Sequence, residues 1–224
     1  MMQDDTNLRG YASPPCLAQE TDPTYSDPQQ AVDVARWRKS ERARLLAERG
    51  ALPVAARHAA AEAIAAHLDI LLAARFKTTK ALTISAWWPI KAELNLRHWL
   101  ESLHERGVRV ALPVVVTPAA PLVFRLWTPD CKMVQGFWKI PVPADGPEVV
   151  PDVTLAPVVG WDAAGFRLGY GGGYFDRTLA ALDPRPLTIG IGLNAARVVT
   201  IFPQPHDIAM DVIVNETGAQ EATR

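Results

Sequence analysis

The chain has 224 residues, of which 49% are hydrophobic and 21% charged, with a formal net charge of −1. That is enough apolar material for one sizeable core, and the near-neutral balance excludes a globally basic nucleic-acid binder or a protein drawn to anionic membranes. Two cysteines, Cys16 and Cys131, are too few for a disulfide framework or a structural zinc site, which predicts a reducing, cytoplasmic setting, and no apolar run reaches the roughly 20 residues that span a bilayer.

Residues 1–30 are rich in Pro, Asp, Gln and Thr and lack a hydrophobic period, which predicts a disordered tail. They also lack the basic start and apolar core of a secretory signal. From Ala31, AVDVARWRKSERARLLAERG predicts a helix with a dense basic face, stopped at Gly50 and Pro53. VAARHAAAEAIAAHLDILLAARF predicts a second helix, with Ile64, Leu68, Leu71 and Leu72 on one stripe. ALTISAW reads as a short buried strand closed by Pro89. LNLRHWLESLHERG returns to helical period through Leu96, Leu100 and Leu103, with Gly107 as its stop.

VRVALPVVV and LVFRLW read as strands, Pro113 marking a bulge, strand end or edge. GFWKIPVPADGPEVVPD reads as a proline-rich surface connector. VTLAPVVGW predicts a strand leading into a glycine loop, YFDRTLAAL a helix stopped at Asp183-Pro184, and LTIGIGL and MDVIV the last strands. Helices alternating with strands apolar on both faces predict an α/β fold: a three-layer sandwich with a largely parallel central sheet and helices on both faces. Residues 31–224 show no internal repeat and predict a single domain.

The glycine loop GFRLGYGGGYFDR, residues 165–177, carries five glycines beside two arginines and one aspartate. It lies between a strand and a helix, where open α/β sheets bind ligands. It is no dinucleotide fingerprint, because Tyr174 stands at the third required glycine, and no P-loop, because no Lys-Ser or Lys-Thr pair follows. Backbone without Cβ lets consecutive N–H groups converge on an anion, and the next helix adds its positive end. Arg167 and Arg177 carry forked donors suited to phosphate. Asp176 is placed either to share Mg²⁺ with nucleotide phosphates or to serve as a first-turn helix acid. Asp211 is a second candidate carboxylate, and His206-Asp207 reads as a local hydrogen-bonded turn.

VGWDAAGFRLGYGGGYFDRTL resembles the signature of the 5-formyltetrahydrofolate cyclo-ligase family. The resemblance covers roughly residues 31–216 in order, through the arginine-rich first helix, the acidic residue of WWPIKAEL, the glycine loop and HDIAMDVIV. It implies ATP- and Mg²⁺-dependent conversion of 5-formyltetrahydrofolate to 5,10-methenyltetrahydrofolate with release of ADP and phosphate, by a monomer or weak dimer with no nucleic-acid or membrane partner. Carried over by motif, it implies that Arg38, Arg167, Leu168, Gly169, Tyr170, Gly171, Gly172, Gly173, Tyr174 and Phe175 hold ATP. Trp88 and Glu93, with Tyr170 to Tyr174, would line the folate pocket, and Asp176 and Asp211 would hold Mg²⁺. No nucleophile is implied, since phosphorylating the formyl oxygen needs positioning and charge neutralisation.

The chain departs from that pattern at Val34, where the family carries a lysine four residues before the first-helix arginine. Phe175 stands for a second tyrosine, KIPVP for a Glu-Pro pair, and Asn215 for a threonine. Two other functions remain compatible with the residues: an ATP-dependent paralogue acting on another pterin or a thiamin-related metabolite, and a non-catalytic folate- or nucleotide-binding regulator.

Overall fold

The computed structural model of the chain describes residues 29–223. The expected tail, with Cys16, lies outside them save for Gln29 and Gln30, and Gln30 already opens the first helix. The helices are α1 (Gln30–Ala51), α2 (Val54–Arg75), α3 (Arg97–Glu105) and α4 (Tyr174–Ala181). The strands are β1 (Thr83–Ser85), β2 (Arg109–Val114), β3 (Val123–Trp127), β4 (Met133–Gln135), β5 (Pro141–Pro143), β6 (Glu148–Val149), β7 (Val153–Pro157), β8 (Gly160–Trp161), β9 (Arg167–Leu168), β10 (Leu187–Ile191), β11 (Val212–Asn215) and β12 (Gly218–Glu221).

Eight strands form one sheet in the order β12-β11-β10-β7-β1-β2-β3-β6. The five central ones, β11 to β2, are all parallel; β12 at one edge and β3 near the other run against them, and β6 closes that second edge by antiparallel pairing with β3. This is the expected largely parallel α/β sheet. The crossover from β1 to β2 and that from β7 to β10 run in opposite directions along it. With right-handed connections, α3 and α4 therefore lie on opposite faces. On the α3 side, Trp99 of α3 donates its indole N–H to Asp69 of α2 at 3.0 Å. The stripe expected on α2 is buried throughout, Ile64 and Leu68 completely so.

Local chemistry shapes where the elements stop and pair, and Gly107 is the stop expected of it. Gly107 takes a φ of +83° after α3; its N–H reaches the His104 carbonyl while that of Val108 reaches Leu103, a Schellman stop. Pro113 sits in β2 beyond the last residue paired with β1, where a missing donor costs no ladder bond on that side. Asn215 closes β11 by accepting from both the N–H and the hydroxyl of Thr217.

Two expectations change. The proline-rich connector is not plain loop: it supplies the 3₁₀ turn at Phe137–Lys139 and strand β5, which pairs with β4 just before it as a hairpin, and the edge strand β6. The single strand expected over 153–161 stops at Pro157, and Gly160–Trp161 pairs instead with Arg167–Leu168 as a two-residue ribbon. Pro157 cannot donate to a ladder, so the parallel strand ends there.

Leu155 on the central β7 is 1% exposed. Leu155→Ala is expected to destabilise the protein by about 2–5 kcal/mol, read from the midpoint of urea unfolding.

Candidate active site

Strands β1 and β7 are neighbours whose connections leave in opposite directions, and a crevice opens beyond the carboxyl ends of such a pair. A cleft of about 610 Å³ occupies that place. Its floor is Trp87 and Trp88 after β1, Leu112 and Pro113 of β2, and Pro157 closing β7. The glycine loop forms one wall, helix α1 brings Arg38 and Arg42 to another, and the β4–β5 hairpin lays Phe137 and Trp138 across the mouth. That volume suits an organic ligand of drug size or larger.

The loop is shaped by its ends. Arg167, 5% exposed at its side chain, pairs with Asp176 at 2.9 Å and donates a second bond to the Ile208 carbonyl at 2.7 Å. Burial lowers the Arg167 pKa below its ordinary value, and the Asp176 charge opposes that. Between them Gly171 and Gly173 adopt φ of +97° and +62°, the left-handed region that glycine enters without strain. A Cβ on Gly172 would stand 2.9 Å from the Tyr174 ring. Leu168 is buried under the loop, and Phe175 lies with its ring centre 5.9 Å from the Arg167 guanidinium carbon. Tyr174 accepts from the Ala119 N–H and meets the Trp138 ring edge-on at 5.4 Å.

Helix α1 places its cations by helical spacing. Arg38 is held by Asp207 at 2.5 Å and by the carbonyls of Ile201 and Phe202 at 2.9 and 2.7 Å. One turn on, Arg42 donates Nε to the Gly169 carbonyl at 2.6 Å, and its guanidinium carbon lies 3.5 Å from where a Gly171 Cβ would be. That carbonyl is the one hydrogen-bond partner of Arg42 among the described residues. Burial, then the Arg38 charge, lowers its pKa from the ordinary value. Sequence reading missed Arg42, although its spacing from Arg38 could have revealed it. Val34 is buried, and the two cations that α1 brings to the cleft, Arg38 and Arg42, stand four residues apart.

At the other end of the cleft, Glu93 is 7% exposed and accepts from the Ile90 N–H at 2.8 Å. Burial raises its pKa; the Ile90 N–H, the Arg49 charge and the Tyr170 hydroxyl oppose that rise. The Arg97 guanidinium carbon stands 5.1 Å from the Trp88 ring centre. Trp88, Glu93 and residues 170–174 thus line one cleft. Phe137 and Trp138 were missed; two adjacent aromatics in a proline-rich stretch were their signal.

The two candidate metal carboxylates are not brought together. Asp176 lines the cleft, its Oδ1 taken by Arg167 and the Ile208 N–H. Asp211 is outside the cleft lining: its Oδ2 accepts from the N–H and hydroxyl of Thr188, and Oδ1 lies 3.7 Å from Arg185, at the starts of β10 and β11. A residue preceding a parallel strand stands at the opposite end of the sheet from a crevice at the carboxyl ends. Among the described residues, no group of three or more His, Cys, Asp or Glu side chains is arranged to hold a metal. Nor is any helix among them long and apolar enough to cross a membrane. The His206-Asp207 pair is the expected turn, Asp207 accepting from the Gln204 N–H at 2.7 Å.

A model of the 5-formyltetrahydrofolate cyclo-ligase family matches residues 34–216. A 5-formyltetrahydrofolate cyclo-ligase of Mycolicibacterium smegmatis is 31% identical over 183 residues, spanning 78% of this chain and 91% of its own. One of Escherichia coli is 37% identical over 105 residues, 44% of this chain and 58% of its own. Among solved structures, the Aquifex aeolicus 5,10-methenyltetrahydrofolate synthetase shares the fold with a TM-score of 0.71 at 24% identity, covering 84% of this chain and 93% of that one. The Mycoplasma pneumoniae synthetase gives 0.65 at 23%, covering 80% and 98%.

The Arg38–Asp207 pair predicts an acid dependence. Burial raises the Asp207 pKa, but the Arg38 bond and the Gln204 N–H outweigh it and hold the folded-state value below 3.8. A depressed carboxylate contributes stability that is complete above its unfolded pKa and is lost as pH falls through the folded value. Asp207→Asn is therefore expected to lower stability at neutral pH and to narrow the gap to wild type below about pH 3.8, followed by urea unfolding against pH.

Proposed function

This chain belongs to the 5-formyltetrahydrofolate cyclo-ligase family, and we propose that it uses ATP and Mg²⁺ to convert 5-formyltetrahydrofolate to 5,10-methenyltetrahydrofolate, ADP and phosphate. The observation that carries the nucleotide half is Arg42. A half-buried guanidinium bonded to a neutral carbonyl, repelled by Arg38 and set against Gly171 is a cation awaiting an anion. A triphosphate in the cleft would meet Arg42, the amides of residues 169–173 and the amino end of α4 together. Arg167 serves by fixing the loop, because both its terminal nitrogens are bound within the protein.

The folate half rests on Glu93. A buried carboxylate at the foot of an aromatic-walled cleft is matched by a heterocycle offering N–H donors, as a pterin does. Trp88, Phe137 and Trp138 supply flat surfaces along the same cleft.

In the proposed reaction the formyl oxygen attacks the γ-phosphorus and the bond to ADP breaks. N10 then adds to the formyl carbon and loses its proton, and inorganic phosphate departs with the oxygen. Phosphorylation turns a poor leaving group into a good one, so the protein's part is alignment and charge neutralisation. Mg²⁺ fits as an ion shared with the nucleotide rather than caged by protein: Asp176 would hold it alongside phosphate oxygens, neutralising charge on the transferred group.

Purified protein with ATP, Mg²⁺ and 5-formyltetrahydrofolate is expected to generate the methenyl chromophore; silence at high enzyme concentration would overturn the reading. Glu93→Gln is expected to raise the KM for the folate about 10–100-fold and to leave that for ATP near wild type. Asp176→Asn should lower kcat at least about a hundredfold without rescue by excess Mg²⁺. Because it also weakens the pair with buried Arg167, it should destabilise the fold by about 1–3 kcal/mol, seen in thermal unfolding.

A further inference from the structure

Arg38, Arg42 and Arg49 lie along one stripe of α1, four and then seven residues apart. The last of them goes deepest. Arg49 is 8% exposed and donates from Nη2 to the Tyr170 hydroxyl at 2.6 Å, with its guanidinium carbon 5.8 Å from that ring's centre. Its Nε is buried without a hydrogen-bond partner among the described residues. A cation in the last turn of a helix is ordinary; its burial against a neutral phenol is not, because withdrawing a charge from water is costly unless something is gained.

Arg49 and Glu93 line the same small apolar pocket of about 80 Å³, which adjoins the main cleft through Trp87, Glu93 and Pro157. Tyr170 belongs to the glycine loop and Glu93 to the turn after β1; Arg49 hydrogen-bonds the first and shares the small pocket with the second, where its charge acts on the carboxylate without a direct bond. We propose that Arg49 is a positioning residue for the substrate heterocycle: it locks the Tyr170 hydroxyl and the Glu93 carboxylate into one rigid edge. The nucleotide loop and the folate end of the cleft are then held in register by a single side chain. The proposal rests on the reading of Glu93 as the folate contact.

Arg49 also opposes the burial that raises the Glu93 pKa, and the phenol of Tyr170 acts in the same direction. The other charged groups about this cluster are Lys91, whose Nζ is 5.4 Å from the Tyr170 ring centre, and Glu48 on the wall of the small pocket.

The test follows the Glu93 carboxyl by carbon NMR titration, assigned with Glu93→Gln, and in parallel the KM values for 5-formyltetrahydrofolate and ATP. Arg49→Met is expected to shift the Glu93 titration to higher pH. It should also raise the folate KM about tenfold while the ATP KM stays within about twofold. Arg49→Lys, which keeps the charge, should restore most of the titration and, lacking the fork, less of the KM. The double variant Arg49→Met/Tyr170→Phe should be no worse than Arg49→Met alone. An unmoved Glu93 titration, or losses that simply add, would overturn the proposal. If the wild type fails to turn over the folate, the reading of function falls, and the carboxyl titration still decides whether Arg49 governs Glu93.

Discussion

A guanidinium almost wholly withdrawn from water destabilises a fold by several kcal/mol unless opposite charge and acceptors are supplied on the spot. Arg167 has both, and from different parts of the chain: the Asp176 carboxylate at the start of α4 and the Ile208 carbonyl before β11. The same carboxylate oxygen takes the Ile208 N–H, so the three segments close on one point. The glycine loop is the stretch between the two ends of this ion pair. Ordering so many glycines is entropically costly, and fixing both ends of a short span removes most of the freedom that would have to be lost otherwise.

Helix α1 supplies the second constraint. Its arginine stripe runs beside the loop, and each guanidinium does a different task. Arg38 is satisfied by Asp207 and two carbonyls and holds the 201–207 segment. Arg42 grips the Gly169 carbonyl and leaves its terminal nitrogens beside Gly171. Arg49 reaches Tyr170. A flexible loop thus borrows the straightness of a 22-residue helix. Charge that would repel along this stripe in isolation is tolerated where carbonyls, a carboxylate and an incoming anion share it.

The fold was largely legible in the residues because burial on both faces of a strand and a 3.6-residue period on a helix are local properties. Leu68, Leu100 and Leu103 are buried as their spacing required. The glycine loop was legible because few other functions need that density of glycine beside cations. What escaped was set by distant partners. The ribbon of Gly160–Trp161 with Arg167–Leu168 is two residues long on each side, too short for alternation to register. The β4–β5 hairpin hides behind prolines that occupy its strand ends. Asp211 looked equivalent to Asp176 by residue type, yet its Thr188 and Arg185 partners lie elsewhere in the sequence. Arg49 carries nothing in the sequence to set it apart from other end-of-helix cations, and only the packed chain shows it against a phenol and beside a carboxylate.

The antiparallel rims of the sheet carry a consequence for the protein's behaviour in company. Strand β6 is two residues long and bracketed by Pro147 and Pro151, while β12 reads Gly-Ala-Gln-Glu and ends on a charge. A neighbouring polypeptide seeking to extend the ladder would find at one margin almost no free amides, and at the other a polar, glycine-led segment of poor β-forming tendency. The apolar parallel strands, whose sequences would be adhesive if laid bare, are sealed between these margins. Extension of the ladder from one folded copy to the next is therefore disfavoured at both margins, and pairing through exposed backbone would first require the rims to peel away.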